Sequence, residues 1–267
     1  MSKSPNSKIK HEYKQFVLES QGKSESSFDA IRYAINLYEE FTNFANFKNF
    51  SRQDAIDFKK QLLENKSKTT ARRILVNLKE SFKWLSYQSG FRKIKITDTE
   101  YFNLSLKDDR IAKSNNYKEF SSIDEIRKVI FSMPSATDIE KCNQTLIAFT
   151  LLTGIRISAL VSLKIKQINL EKELVLQYGK DVDTKFGKTI YTFFFPVGND
   201  VKQVILDWIN HLKNQEYTEN NPLFPKNKIE CKDFSFVCTG LSKEHWQQTT
   251  QARQIFKDSF AKAGITC

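Results

Sequence analysis

Residues 151–164 read LLTGIRISALVSLK. Apolar positions recur on both sides of Gly154, and one guanidinium, Arg156, stands two residues after the glycine. Glycine closes a helix because it enters the left-handed conformation without a steric penalty. The stretch therefore predicts an apolar helix over 141–153, a turn at Gly154 and a short second helix over 158–163. A guanidinium inside so apolar a run is costly to bury unless an anion meets it. The segment thus predicts an anion-binding arginine.

Beyond it the hydrophobic period changes from 3.6 to 2, which predicts three short strands over 165–170, 174–178 and 189–195. Gly179 and Gly187 bracket a polar hairpin loop between the second and third, and this loop carries Lys180, Lys185 and Lys188. Pro196 ends the sheet. Asn199 or Asp200 caps a helix through Leu212, NPLFP is a turn, and a last helix is expected over 243–263, closed by Gly264. An arginine on a rigid helix and a lysine on a β-turn suit one task. The arginine offers parallel donors to nonbridging phosphate oxygens, and the lysine can give a proton to a leaving oxygen. Neither needs a metal or another cofactor, so none is expected.

The first part of the chain is helical in pattern. Residues 1–24 are polar and read as a loose segment, apart from a short amphipathic piece around Tyr13 to Leu18. Phe28, Ile31, Ile35, Tyr38 and Phe41 share one face of a helix expected over 26–45. The run FTNFANFKNF places Phe41, Phe44, Phe47 and Phe50 at every third residue. Such rings can stack on bases, but filling a helical core is the commoner use and is the reading adopted. Ser51 with Asp54 forms a capping box that opens a helix to Leu63, and a helix over 70–88 buries Ile74, Leu75, Leu78, Phe82 and Leu85. Residues 107–120, KDDRIAKSNNYKEF, show no apolar period and read as an interdomain linker. Ser122 with Glu125 then caps a new helix. The expected division is a loose 1–24, a helical domain over 25–106, the linker, and an α+β domain over 121–267. The expected fold class is mainly α with a small antiparallel sheet.

Charge points to the partner. The 267 residues carry a formal net charge of +11, with 42 Lys and Arg against 31 Asp and Glu. The first 120 residues hold 23 of those bases and 15 of the acids, so most of the excess lies there. Over 66–95 there are nine Lys or Arg and one acid, Glu80. Lys66, Lys68, Arg72, Arg73, Lys79 and Lys83 are the expected phosphate contacts, because basic helix faces lie along the backbone of duplex DNA. The cysteines at 142, 231, 238 and 267 have neither CxxC spacing nor a neighbouring histidine, and read as reduced packing thiols. No apolar stretch approaches the roughly 20 residues that span a bilayer, and the first ten residues lack a signal peptide's apolar core. A cytoplasmic protein without membrane contact is expected.

TGIRISALVSLK resembles the segment TGxRxSEL-x-x-L of the tyrosine recombinases, the phage-integrase family. A strand pair, a hairpin lysine and TFFFPVG before a helix extend the resemblance, and the basic helical first part resembles the family's core-binding, SAM-like domain. The resemblance covers most of residues 10–267. It implies a catalytic domain of the DNA breaking-rejoining type, two or more protomers gripping double-stranded DNA, and a tyrosine that forms a 3′-phosphotyrosyl link. It implies that Arg156 stabilises the pentacoordinate phosphate. It implies that Lys185 protonates the departing 5′-oxygen, with Lys180 as its rival and Lys188 third.

The sequence departs from the family's pattern in two ways. The usual acid three residues after the arginine is Ala159. The H-x-x-R motif is absent: His211 is followed by Asn214 at the third position, His245 by Gln248, and the last tyrosine is Tyr217. The expectation is a C-terminally truncated recombinase that is inactive alone. The alternative is a non-catalytic DNA-binding protein or regulator on the same scaffold.

Overall fold

The computed structural model describes residues 4–114, 119–184, 187–232 and 234–265. The chain divides into two compact units, Met1–Tyr117 and Lys118–Cys267. Among the described residues no helix is long and apolar enough to cross a membrane.

The first unit is helical. Helices α1 (Ser7–Gln15), α2 (Glu25–Phe41), α3 (Arg52–Asn65), α4 (Lys68–Ser86), α5 (Ile96–Thr99) and α6 (Leu106–Lys113) follow one another, with a π-turn over Phe16–Ser20 after α1. Ser24, Ser51, Ser67 and Ser105 accept backbone N–H groups at the starts of α2, α3, α4 and α6, satisfying donors that the first turn leaves free. Tyr38, 2% exposed, sits among Phe47, Phe50, Phe58, Phe82 and Phe102, with ring centroids 5.0–6.4 Å away. The phenylalanine run is therefore largely core. Phe47 is buried and Phe41 and Phe50 pack against the same cluster, while Phe44 stays exposed. The helix stops at Phe41 rather than at residue 45, because Asn43 and Phe44 turn into the left-handed region with φ of 51° and 58°.

Two expectations fail here. Residues 7–20 are helical, not loose. Ile9, Tyr13 and Val17, spaced four apart, are buried, and Glu39 of α2 accepts hydrogen bonds from Ser4, Asn6 and Lys10. Three residues at that spacing make a short stripe that polar neighbours obscure in sequence. The stretch read as a linker from residue 107 is in its first half the helix α6. Ser105 caps it, Ala112 is buried, and it packs on α4. Its hold on α4 is mostly ionic, so it shows little apolar period.

The second unit holds α7 (Ile123–Ser132), α8 (Asp138–Thr153), α9 (Ile157–Ser162), α10 (Asn199–Asn214) and α11 (Thr250–Lys262). Capping boxes at Ser122/Glu125 and Thr137/Glu140 start the first two. Strands β1 (Ile168–Asn169), β2 (Leu174–Gln177) and β3 (Ile190–Phe193) form an antiparallel sheet in that order, with Leu174 opposite Phe193 and Gln177 opposite Ile190. Residues 165–167, expected as strand, form a 3-10 turn. The core gathers Ile130, Leu146, Phe149, Leu160, Val175, Trp208 and Phe224, and the Trp208 indole N–H donates to the Leu223 carbonyl at 2.9 Å.

A separate hairpin of β4 (Asn227–Lys232) and β5 (Ser235–Leu241) has no counterpart in the sequence reading. Most of β5 is exposed, so no buried face imposes the alternation that marks a strand. The last helix begins at Thr250, not at residue 243. Cys142 is buried, and burial pushes its thiol pKa up, whereas Cys231 and Cys238 are exposed on the hairpin and are not packing thiols. Cys267 lies outside the described residues.

Candidate nucleic-acid interface

Gly154 caps α8 in the left-handed conformation, with φ 61° and ψ 19°. A Cβ there would also meet the Phe195 ring at 3.0 Å, so both conformation and space favour glycine. The chain then extends through Ile155, which is buried, to Arg156, which caps α9 with φ −70° and ψ 144°. This alternation turns the guanidinium outward. Arg156 is exposed, and among the described residues its guanidinium makes no hydrogen bond or ion pair, while its carbonyl accepts the Leu160 N–H at 2.8 Å. The expectation of an arginine inside an apolar helical run is therefore corrected: the break at Gly154 takes it out of the helix and into solvent. Its backbone is nonetheless firmly held, because Ala159, Leu160 and Val161 of α9 are core residues. Ala159 is 2% exposed and brings no carboxylate toward Arg156.

Helix α9 also holds the lysine hairpin. The Ser158 hydroxyl donates to the Asp183 carbonyl at 3.3 Å, and the Asp183 N–H donates to Ser162 Oγ at 3.0 Å. Val182 and Thr184 on either side are buried, and the Thr184 hydroxyl donates to the Lys188 carbonyl at 2.7 Å. The loop after β2 is thus anchored at its middle to the helix that Arg156 caps. Lys180 and Lys188 are exposed on it. Lys185 lies outside the described residues. Sequence reasoning missed the two serines, although their spacing of four puts them on one helix face.

Gly179 lets the loop close. A Cβ at that position would lie 1.9 Å from the Gly187 carbonyl oxygen, inside any tolerable contact. Gly179→Ala is expected to destabilise the second unit by about 1–3 kcal/mol. It should also speed hydrogen exchange at the Asp181, Val182 and Thr184 amides, whose acceptors lie within this loop. Unchanged exchange there would show that the loop closes without this contact.

His245 leans on the same helix, its Nδ1 3.2 Å from the Val161 carbonyl. Burial holds its pKa below the ordinary histidine value, with the Val161 hydrogen bond opposing and Lys164 adding to the effect.

In the first unit the six expected phosphate contacts fall into two groups. Lys68 pairs with Asp108 at 2.6 Å, Arg72 with Asp109 at 2.7 Å and Lys79 with Glu100 at 2.7 Å. These carboxylates sit below their usual pKa range: Asp108 through its hydrogen bonds from Lys68 and Ser105, Asp109 through Lys113 and Arg72, Glu100 through Lys79. Lys66, Arg73 and Lys83 are exposed, and their side-chain cations have neither hydrogen bond nor ion pair among the described residues. Three of the six expected phosphate contacts are thus ion-paired, although only one acid lies within residues 66–95. Their acids come from residues 100–109, which a window ending at residue 95 leaves out.

The chain resembles known proteins at two levels. No family model matches it. The tyrosine recombinase XerC of Lactobacillus delbrueckii subsp. bulgaricus is 37% identical over 76 residues, which are 28% of this chain and 24% of that relative. XerC of Thermodesulfovibrio yellowstonii is 26% identical over 218 residues, 77% of this chain and 65% of the relative. The matches thus span less than two thirds of either relative's length. Among solved structures, a lambda integrase dimer bound to a COC′ core site superposes with a TM-score of 0.66 at 13% identity, covering 98% of this chain and 82% of that one. The Tn1549 transposon integrase in complex with transposon right end DNA gives 0.55 at 15% identity, over 77% of this chain and 65% of that one. The fold is that of the integrases, mainly α with small antiparallel sheets. In sequence the chain is similar to tyrosine recombinases, and in fold to the integrases.

Proposed function

We propose that the chain binds double-stranded DNA as part of site-specific recombination, in which strands are cleaved and rejoined through a phosphotyrosine. The observation that carries this reading is an unpaired Arg156 on the cap of a buried helix that also clasps a lysine-bearing hairpin. Arg156 supplies parallel donors to the nonbridging oxygens of one phosphate, whose charge grows in the transition state. A hairpin lysine protonates the leaving 5′-oxygen. Lys185 is the first candidate, Lys180 its rival and Lys188 the third. Lys66, Arg73 and Lys83 contact backbone phosphates. Lys68, Arg72 and Lys79 do so after exchanging a carboxylate for a phosphate. Protomers associate on the DNA, and neither metal nor cofactor takes part.

The domain reading is a helical DNA-binding domain followed by a domain of the DNA breaking-rejoining type. The sequence holds no H-x-x-R motif, which favours a second reading, a non-catalytic DNA-binding protein or regulator on this scaffold. Anisotropy of a labelled duplex tests binding. Affinity should fall steeply with salt, and Arg156→Ala should make the log–log salt slope shallower by about 1. Salt-independent or undetectable binding defeats the proposal. A nicked suicide substrate tests cleavage. No covalent protein–DNA band is expected from these 267 residues, and a band would show a nucleophile in place.

A further inference from the structure

The three-stranded sheet of the second unit has one buried and one exposed face. On the inner face Val175 and Gln177 are 0% and 3% exposed, and the Gln177 side-chain amide donates to Thr192 Oγ1 at 2.8 Å. On the outer face Tyr191, Phe193 and Phe195 follow one another at alternate positions along β3 and its extension, 57%, 64% and 51% exposed. Tyr178 lies beside Tyr191, with ring centroids 6.5 Å apart and planes at 83°. Leu174 and Leu176, opposite Phe193 and Tyr191, floor the same face. Strand β3 is an edge of the sheet, so nothing further in the sheet covers these rings. The surface they expose is on the order of 400 Å², the size of the largest apolar patch on a typical monomer, which is often a functional one. It is short of the roughly 800 Å² that each partner of a stable dimer contributes.

Free cations stand at both ends of this row. Lys180 follows Tyr178 by two residues and Lys188 precedes Tyr191 by three; both are exposed and unpaired among the described residues. At the other end the Phe195 ring lies against Gly154, two residues before the unpaired Arg156. The nearby acid Glu173 is held by Lys202. Alternate residues on a strand are about 6.7 Å apart. That is twice the 3.4 Å rise of stacked nucleotides, so the ring spacing is commensurate with the nucleotide spacing. Aromatic rings in a row, flanked by unpaired cations, are the chemistry that holds single-stranded nucleic acid.

We propose that the outer face of this sheet, through Tyr191, Phe193 and Phe195, is a stacking platform for unpaired bases of single-stranded DNA, with Lys180, Lys188 and Arg156 on its phosphates. The proposal rests on the DNA-binding reading above, and the two fail differently. Full-length protein is titrated into a labelled 12-nucleotide oligo-dT and, separately, into a labelled duplex. Wild type that binds the duplex but not oligo-dT defeats this inference alone; binding neither defeats the reading beneath it.

Phe193→Ala is expected to weaken oligo-dT binding about five-fold or more and Tyr191→Ala/Phe193→Ala further, since each stacked base loses its ring. Phe193→Trp should retain affinity, and duplex affinity should move less than two-fold. Phe236→Ala, which removes a still more exposed ring on β5, should change neither. Circular dichroism and the thermal midpoint establish that each variant is folded. The proposal is overturned if oligo-dT affinity is unchanged in the double variant, or if duplex binding falls equally. It is also overturned if sedimentation shows wild type self-associating through these rings while oligo-dT affinity stays the same.

Discussion

Replacing Lys66, Arg73 and Lys83 together with glutamine is expected to weaken duplex binding on the order of 100-fold at 0.1 M salt, and to make the salt dependence shallower by nearly three. Each of these side chains is exposed and unpaired among the described residues, so each is free to displace counterions from a phosphate. The matched triple of Lys68, Arg72 and Lys79 should lose much less, because each of these must first give up a carboxylate 2.6–2.7 Å away. It should instead loosen α6, whose attachment to α4 depends on two of those pairs. Anisotropy titrations at several salt concentrations read both effects. Equal losses from the two triples would show that the ion pairs open freely on DNA. No loss from the first would remove this helix face from the interface.

Glu39→Ala should destabilise the first unit by about 3 kcal/mol in urea unfolding. Glu39 is 1% exposed and gathers Ser4, Asn6 and Lys10 from the first ten residues. Asn6 also donates to the Ala45 carbonyl and accepts the Phe47 N–H, so the same network fixes the turn after α2. Removing the carboxylate strands a partly buried ammonium and a buried amide. Burial raises the Glu39 pKa, but the hydrogen bonds from Lys10, Ser4 and Asn6 outweigh it and hold the group below its usual 4.5. A depressed folded-state pKa means the stabilisation is complete above that usual value and disappears as pH falls through the folded one. Wild type should therefore lose stability on acidification below about pH 4.5, and Glu39→Gln should lose less over the same window. A variant as stable as wild type at neutral pH would show that α1 is not tied to the bundle here.

Much of the second unit was legible before any coordinates. Gly154 and the shift from period 3.6 to 2 set out α8, α9 and the three strands, because backbone conformation and side-chain alternation are local properties. Capping at Ser51 and Ser122 was legible for the same reason. The β4–β5 hairpin was not, because strands without a buried face carry no alternation to read. Helix α6 was missed because ion pairs to α4 fasten it more than an apolar stripe.

By itself the sequence determined the fold class, the basic character of the first 120 residues and the identity of Arg156 as the residue to watch. Those follow from periodicity, composition and one glycine. Only the tertiary structure decided that Arg156 faces solvent, that Ser158 and Ser162 hold the hairpin at Asp183, and that half the basic residues on and beside α4 are already neutralised. Each depends on groups up to 40 residues apart in the chain meeting in space. Spacing along the chain can permit such meetings, but folding alone brings them about.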